Sequence, residues 1–168
     1  MKWSKMELLH APNGMIQFNE SITFDQAAFS KMNQIRGLQN VTVSGHIQYD
    51  EQRDRAYADL DIAGVMILPC SVTNEDVDYA FHTQSLEEFA FEKLTDEDVH
   101  ISKGDVVELM PVIFQLILME IPLKVVKENV QYPRGKGWEV MKEEDYQKSK
   151  KDEIDPRLAK LKEFKTED

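Results

Sequence analysis

The sequence contains a single cysteine, Cys70, and it lacks any run of about 20 apolar residues. One cysteine excludes an internal disulfide and is typical of a protein in a reducing compartment. The apolar stretch between Pro111 and Pro122 is too short to cross a bilayer. The first residues show no apolar run followed by a small-residue cleavage site. We therefore expect no signal peptide, no membrane anchor and a cytoplasmic location.

Spacings typical of metal and nucleotide sites are also missing. No two of the possible ligands, which are Cys70 and four histidines, are separated as in a helical i,i+4 pair or a Cys-x-x-Cys pair. The acidic runs 96–98 and 143–145 lack the calcium-loop pattern, and the glycines at 135 and 137 lack Walker spacing. We therefore expect no metal, no cofactor and no small-molecule substrate.

Cys70 is the one candidate nucleophile that the sequence singles out. A thiol becomes reactive beside a cation, a metal or a helix N-terminus, and no basic residue is near Cys70 in the sequence. A buried structural thiol is the favoured interpretation, and a thiol enzyme built on Cys70 is the alternative. Since no other residues assemble an enzyme site, we predict that the chain is not an enzyme.

Charge is distributed unevenly along the chain, whose net charge is −11. Residues 1–141 carry 12 basic and 22 acidic side chains, whereas residues 142–168 carry 8 and 9. An acidic body argues against wrapping nucleic acid, because phosphates repel it. It is compatible with a basic protein partner, although acidity that only keeps the chain soluble is the simpler explanation.

Hydrophobic periodicity predicts long strands followed by helices. Alternation of apolar and polar residues is clearest from Val41 to Tyr49, and a second strand from about Arg55 to Leu68 completes a long hairpin. Pro111 suits a helix start and Pro122 prevents continuation, which predicts a buried apolar helix over about 111–120. The pattern indicates an α+β fold with a dominant antiparallel curved sheet or partial β-barrel.

Three smaller predictions concern the rest of the body. Residues 99–101 and 106–109 flank a Gly104 turn and are typical of a short hairpin. Residues 121–126 are interpreted as an edge strand, with Pro122 tolerated near its start. Residues 33–40 are interpreted as a loop.

The C-terminal part is predicted to be a charged tail. Residues 1–141 form a single α+β domain in this interpretation, and residues 142–168 follow as a tail with a short amphipathic helix from about residue 156. Asp155 is the expected N-cap and Pro156 the first helical residue. Because so short a helix is marginal alone, we expect it to order only by docking.

Basic residues are concentrated in two short late segments. Arg134, Lys136 and Trp138 combine two cations with an aromatic ring, which suits a nucleic-acid backbone and a base. A glycine turn with Trp138 packed on the body explains the same residues equally well. The second segment carries Arg157, Lys160 and Lys162 beside an apolar stripe.

Several segments together resemble the YceD family, and most closely its members from low-GC Gram-positive bacteria. These are residues 1–4, 68–70, 110–122, 135–140 and, as the most specific, the Asp-Pro-Arg-Leu-Ala-Lys-Leu-Lys run at 155–162. The resemblance implies a role in accumulation of large-subunit ribosomal RNA. Some members carry Cys-x-x-Cys where this chain has Cys70 and Thr73, a departure that argues against a zinc or redox role.

From the residues and the resemblance together we predict a non-enzymatic ribosome biogenesis factor. Its expected partners are precursor large-subunit ribosomal RNA or a large-subunit ribosomal protein, without a membrane. The predicted contact residues are Arg134, Lys136, Trp138, Arg157, Lys160 and Lys162. The alternative is a dedicated chaperone for a small basic ribosomal protein that makes no direct RNA contact.

Overall fold

The computed structural model describes residues 1–92, 99–102 and 104–152, without the side chains of 151 and 152. The chain forms two compact units, Met1–Lys127 and Glu128–Asp168. In the first unit the elements are β1 (Lys2–Ser4), α1 (Lys5–His10), β2 (Met15–Ile22), β3 (Gly37–Asp50), β4 (Arg55–Pro69), β5 (Asp76–Ala90), β6 (His100–Ile101), β7 (Val106–Glu108) and α2 (Met110–Met119). The predicted division at residue 141 stays a prediction.

The first unit is built on an open five-stranded sheet in the order β2-β3-β4-β5-β6. Neighbouring strands are antiparallel except β5 and β6, which are parallel. A separate two-stranded sheet pairs β1 with β7. The predicted α+β fold with a dominant antiparallel sheet is therefore confirmed. Across the described residues, the sheet does not close into a barrel.

The long hairpin of β3 and β4 forms the centre of the core, as the alternation predicted. Val43 and Ile47 on β3 and Leu60 and Ile62 on β4 are fully buried on one face. In the turn, the Asp50 carboxylate accepts hydrogen bonds from the backbone of Gln52 and Arg53 at 2.9 and 3.2 Å. The predicted loop over residues 33–40 is wrong in its last part, because β3 already begins at Gly37 and pairs there with β4.

Helix α2 confirms the predicted apolar helix, but its burial is one-sided. Val112, Ile113 and Ile117 are buried, whereas Gln115 and Met119 are exposed. Residues three and four apart share one helix face, so these buried positions form the face that contributes to the core. The helix ends before Pro122, which cannot continue it.

Aromatic contacts join α2 to the segment between β2 and β3. A single 3₁₀ turn at Gln26–Phe29 is capped by Asp25, whose carboxylate accepts from the Ala27 amide at 2.9 Å. The Phe114 ring lies 5.6 Å from Phe24 and 6.0 Å from Phe29, centroid to centroid. Such pairs contribute about 0.5–1.5 kcal/mol beyond area burial. The Asp25 side chain therefore caps the start of this turn.

Two predictions for the end of the first unit are wrong. β6 and β7 do not form a hairpin with each other, since β6 pairs with β5 and β7 pairs with β1. Residues 121–126 contain no strand. Instead, the Val125 carbonyl accepts a hydrogen bond from the Ser71 amide at 2.8 Å, which ties this segment to the turn after β4. In both cases the structure depends on which distant segment supplies the hydrogen-bonding partner. Local periodicity carries no information about that partner.

The described part of the second unit contains β8 (Arg134–Gly135), β9 (Trp138–Glu139) and α3 (Glu143–Asp152). The first part of the predicted charged tail is thus already helical. Three acidic residues in the first turn of α3 face the positive end of the helix dipole, which favours this start. The amphipathic helix predicted from about residue 156 lies outside the described residues. Among the described helices, none has the length and apolar character that crossing a membrane requires.

Candidate functional site

The Arg134–Trp138 segment is a tight two-stranded hairpin in the second unit. Gly135 pairs with Trp138, so Lys136 and Gly137 form the turn between the strands. Gly137 has φ of +83°, a left-handed value that favours glycine. The Val140 amide donates to the Pro133 carbonyl at 3.0 Å and closes the base of the hairpin.

The Trp138 indole lies against Gly135. A Cβ atom placed on Gly135 would come within 2.6 Å of the indole Nε1, so only glycine leaves room for this ring position. The ring is nevertheless 58% exposed. An exposed indole that is supported from behind by backbone is suitable as a stacking platform for a base.

Two cations lie on the same hairpin as this ring. Arg134 is on the first strand, directly across from Glu139, and Lys136 is in the turn; both are exposed. Within the described part of the chain, neither side chain forms an ion pair or a side-chain hydrogen bond. Exposed cations and an exposed ring on one hairpin can combine backbone neutralisation with stacking. The hairpin therefore brings together three of the six predicted contact residues.

The other three predicted contact residues, Arg157, Lys160 and Lys162, lie outside the described residues. Their role stays a prediction. The neighbouring helix α3 is highly charged, with a cation–π contact of 4.9 Å between Lys150 Nζ and the Tyr146 ring. Glu143 at its start accepts a hydrogen bond of 3.4 Å from the Gln147 side chain one turn later.

A second feature, in the first unit, surrounds Cys70 at the end of β4. The residue is buried, with 3% of its surface exposed. The backbone N–H of Lys127 donates to Cys70 Sγ at 3.5 Å, while the Lys127 ammonium group bonds Glu75 at 3.0 Å. This contact links residues 57 positions apart. No sequence signal predicts it, because the donor is a backbone amide.

These donors favour the thiolate. The Lys127 amide, then the Thr73 hydroxyl and the amides of Thr73 and Val72, lower the pKa of the Cys70 thiol from 9.0 to about 6. Hydrogen bonds to the charged form of an acid lower its pKa. Residue types near Cys70 in the sequence give no signal of this activation, because the donors are mostly backbone amides, which nearly every residue carries.

Cys70 also borders a cavity of about 470 Å³. Its apolar wall includes Leu118, Ile121, Leu123 and Val125, which follow from the end of α2. Among the described residues, the rest of the lining consists of amides, a hydroxyl and apolar side chains, without a second titratable group. The thiol stands without a side-chain base or acid within this lining.

Histidines on the outer face of the sheet pair with carboxylates. His82 Nε2 lies 3.0 Å from Asp61 Oδ1, and Gln84 donates to the other Asp61 oxygen at 2.6 Å. His46 and Asp59 are farther apart, at 4.0 Å. Among the described residues, no three His, Cys, Asp or Glu side chains are grouped as a metal site would require.

Comparison with known proteins assigns the chain to a family. The sequence model of the large ribosomal RNA subunit accumulation protein YceD matches residues 58–165, more than half of the chain. The chain belongs to the YceD family. The match to this family includes Cys70, the Arg134–Trp138 hairpin and the positions of the three late cations. The description of the family concerns ribosomal RNA accumulation and names no reaction, so the family role is related to the ribosome.

A relative extends this family membership to the whole chain. The uncharacterized protein YlbN of Bacillus subtilis (strain 168) is 34% identical over 177 aligned residues. The alignment covers all of this YceD-family chain and 98% of the relative. No solved structure matches the chain.

Proposed function

We propose that this chain is a non-enzymatic assembly factor that supports accumulation of large-subunit ribosomal RNA in the cytoplasm. In this proposal the Arg134–Trp138 hairpin contacts precursor RNA, and Arg157, Lys160 and Lys162 add a second contact. The observation that carries it is the exposed Trp138 ring with two exposed cations on one tight hairpin. The family description supplies the RNA class.

The charge distribution supports contact through the second unit. Residues 1–127 carry ten basic and twenty acidic side chains, whereas residues 128–168 carry ten and eleven. Phosphates are repelled by a strongly acidic surface and attracted by unpaired cations. The first unit then remains in solvent or faces a basic protein.

Co-sedimentation with large-subunit precursors tests the RNA contact. Arg134→Glu combined with Lys136→Glu should abolish it, and Arg157→Glu with Lys160→Glu should weaken it. Lys142→Glu with Lys148→Glu is the matched control, because it makes the same change in net charge in the same unit. Equal co-sedimentation of the hairpin variant and the control would refute the hairpin contact.

The second candidate function is a dedicated chaperone for a small basic ribosomal protein without RNA contact. It is favoured by the net charge of −10 on residues 1–127. Purification from cells after nuclease treatment separates the two candidates. A basic ribosomal protein that stays bound without RNA supports the chaperone, and its loss on nuclease treatment supports the RNA-binding factor.

A further inference from the structure

The long strand β5 has one open edge. All of its fifteen residues are paired in register with β4, without a bulge. On its other side, among the described residues, only Phe89 and Ala90 are paired, with the two-residue strand β6. The edge therefore remains open along most of its length, from Asp78 to Leu86.

The register shows which backbone groups face this open edge. Ala90 O accepts a hydrogen bond from the Ser102 amide at 2.8 Å on the β6 side. In a strand, the N–H and C=O of one residue point to the same side, and the direction alternates along the chain. Even-numbered residues of β5 thus direct their backbone groups to the open edge. The five from Asp78 to Leu86 are all exposed, namely Asp78, Ala80, His82, Gln84 and Leu86.

This edge lacks the usual protection against an added strand. Proteins guard open edges with lysine, proline, bulges or covering elements. β5 contains no lysine and no proline, its pairing has no bulge, and Leu86 is 71% exposed. A regular edge of this length is a template for pairing with another extended chain.

Acidic side chains predominate beside the edge. β5 carries Asp76, Asp78, Glu87 and Glu88 and no basic residue other than His82. Towards the two ends of the strand, basic side chains pair with three of these carboxylates: Arg36 with Asp76, Arg55 with Glu88, and His100 with Glu87. In the middle of the edge the carboxylates are Asp78 and, from β4, Asp61, which lies next to His82 and Gln84. These two carboxylates favour a cationic occupant.

We propose that the open edge of β5 binds an extended, lysine- or arginine-rich polypeptide segment as an added antiparallel or parallel strand. Main-chain hydrogen bonds to the even-numbered residues supply affinity, and the carboxylates select basic side chains. Pairing with a second copy of the chain is disfavoured, because it would place two acidic strands side by side. This surface lies in the first unit and does not depend on the hairpin contact with RNA.

A synthetic peptide of about twelve alternating lysine and threonine residues is the probe. Its affinity for the full chain is measured by fluorescence anisotropy, and hydrogen exchange of the protein amides locates the contact. The matched control is the same peptide with four consecutive central amides N-methylated, which keeps the charge and removes main-chain donors. We expect at least about tenfold weaker binding of the control, and protection of the amides of Ala80, His82, Gln84 and Leu86 only by the unmodified peptide.

Variants at two positions test the edge directly. Ala80→Pro removes an amide that faces the open edge without removing a β4 hydrogen bond, so the sheet should fold and peptide binding should weaken relative to Ala80→Thr. Leu86→Lys should weaken binding and Leu86→Glu should strengthen it, at an exposed position where neither change threatens folding. Co-sedimentation of Ala80→Pro with large-subunit precursors should be unchanged. A failure of strand addition at β5 can therefore be distinguished from a failure of the hairpin contact with RNA.

Each outcome of these experiments either supports or overturns strand addition at β5. Equal affinity for the two peptides, or protection away from β5, would overturn strand addition and leave a nonspecific charge effect. Concentration-dependent protection of the same amides without peptide would identify a second copy as the occupant and would also overturn the proposal. Opposite effects of the two Leu86 variants, with protection confined to the open edge, would establish it.

Discussion

Gly45 on β3 faces the backbone of Asp59 on β4 so closely that a Cβ atom on Gly45 would lie 1.9 Å from the Asp59 carbonyl oxygen. The contact is with rigid backbone, and Gly45 has φ of +153°, a conformation that side chains rarely adopt. The two central strands of the core can therefore approach each other only because this position is glycine.

Gly45→Ala should destabilise the first unit by roughly 3 kcal/mol, since it combines backbone strain with a clash that side-chain movement cannot relieve. Thermal or urea unfolding measures the change. Gly104→Ala is the control, because Gly104 also has a positive φ but has open space around it; we expect a loss of about 1 kcal/mol. Equal losses for the two variants would show that the close approach does not matter.

Lys5 and Asp54 connect α1 to the β3–β4 turn by an ion pair of 2.6 Å, and the Tyr49 hydroxyl also donates to Asp54. Both side chains are about one-third exposed, so Lys5→Met should cost only about 1 kcal/mol at pH 7. The hydrogen bond from Lys5 is the main reason that the pKa of Asp54 lies below its ordinary value.

The stabilisation by this pair is present above the ordinary pKa of aspartate and is lost as the pH falls through the lowered pKa of folded Asp54. The difference in unfolding free energy between wild type and Lys5→Met should therefore disappear in strong acid. Chemical unfolding at a series of pH values measures it. Asp54→Asn should show the reduced stability at pH 7, and a difference that is independent of pH would contradict the ion-pair explanation.

The Cys70 thiol should titrate near pH 6, because backbone donors favour its thiolate. Between about pH 6 and 9 the unfolded chain then binds more protons than the folded one, so the stability of wild type relative to Cys70→Ser should rise with pH across this window. The contribution is lost as the pH falls through about 6. Thiolate absorbance gives the midpoint directly.

Thr73→Val removes one hydroxyl donor to Cys70 and should raise the thiol pKa, whereas Ser71→Ala, in the same turn, should leave it unchanged. Normal growth of a Cys70→Ser strain under stress would exclude the thiol-enzyme alternative. A thiol midpoint near 9 in the wild type would contradict the donor geometry.

If the hairpin binds precursor RNA, its affinity should depend on salt in a predictable way. Each phosphate contact to a single strand contributes about 0.7 to the slope of log affinity against log salt concentration, so Arg134→Ala with Lys136→Ala should lower the slope by about 1.4. Filter binding at several salt concentrations measures the slope. Lys142→Ala with Lys148→Ala should leave it unaltered, and an equal fall in both variants would point to a general charge effect.

Trp138→Ala should weaken RNA binding by about 1–3 kcal/mol if a base stacks on the exposed ring, and Trp138→Phe should restore most of the loss. Neither change should alter the unfolding of the first unit, which provides the control for folding. Unchanged RNA binding by Trp138→Ala would contradict base stacking, and the ring would then have only a local packing role against Gly135.

Local patterns in the sequence determined the β3–β4 hairpin and the bounds of α2, because alternation and prolines act over a few residues. Local composition also identified Arg134, Lys136 and Trp138 as a group. Only the tertiary structure decided that β6 pairs with β5 and β7 with β1, that Lys127 donates to Cys70, and that β5 keeps an open edge within the described part of the chain. Each of these depends on which distant backbone groups meet, and backbone donors and acceptors are the same at nearly every position of the chain.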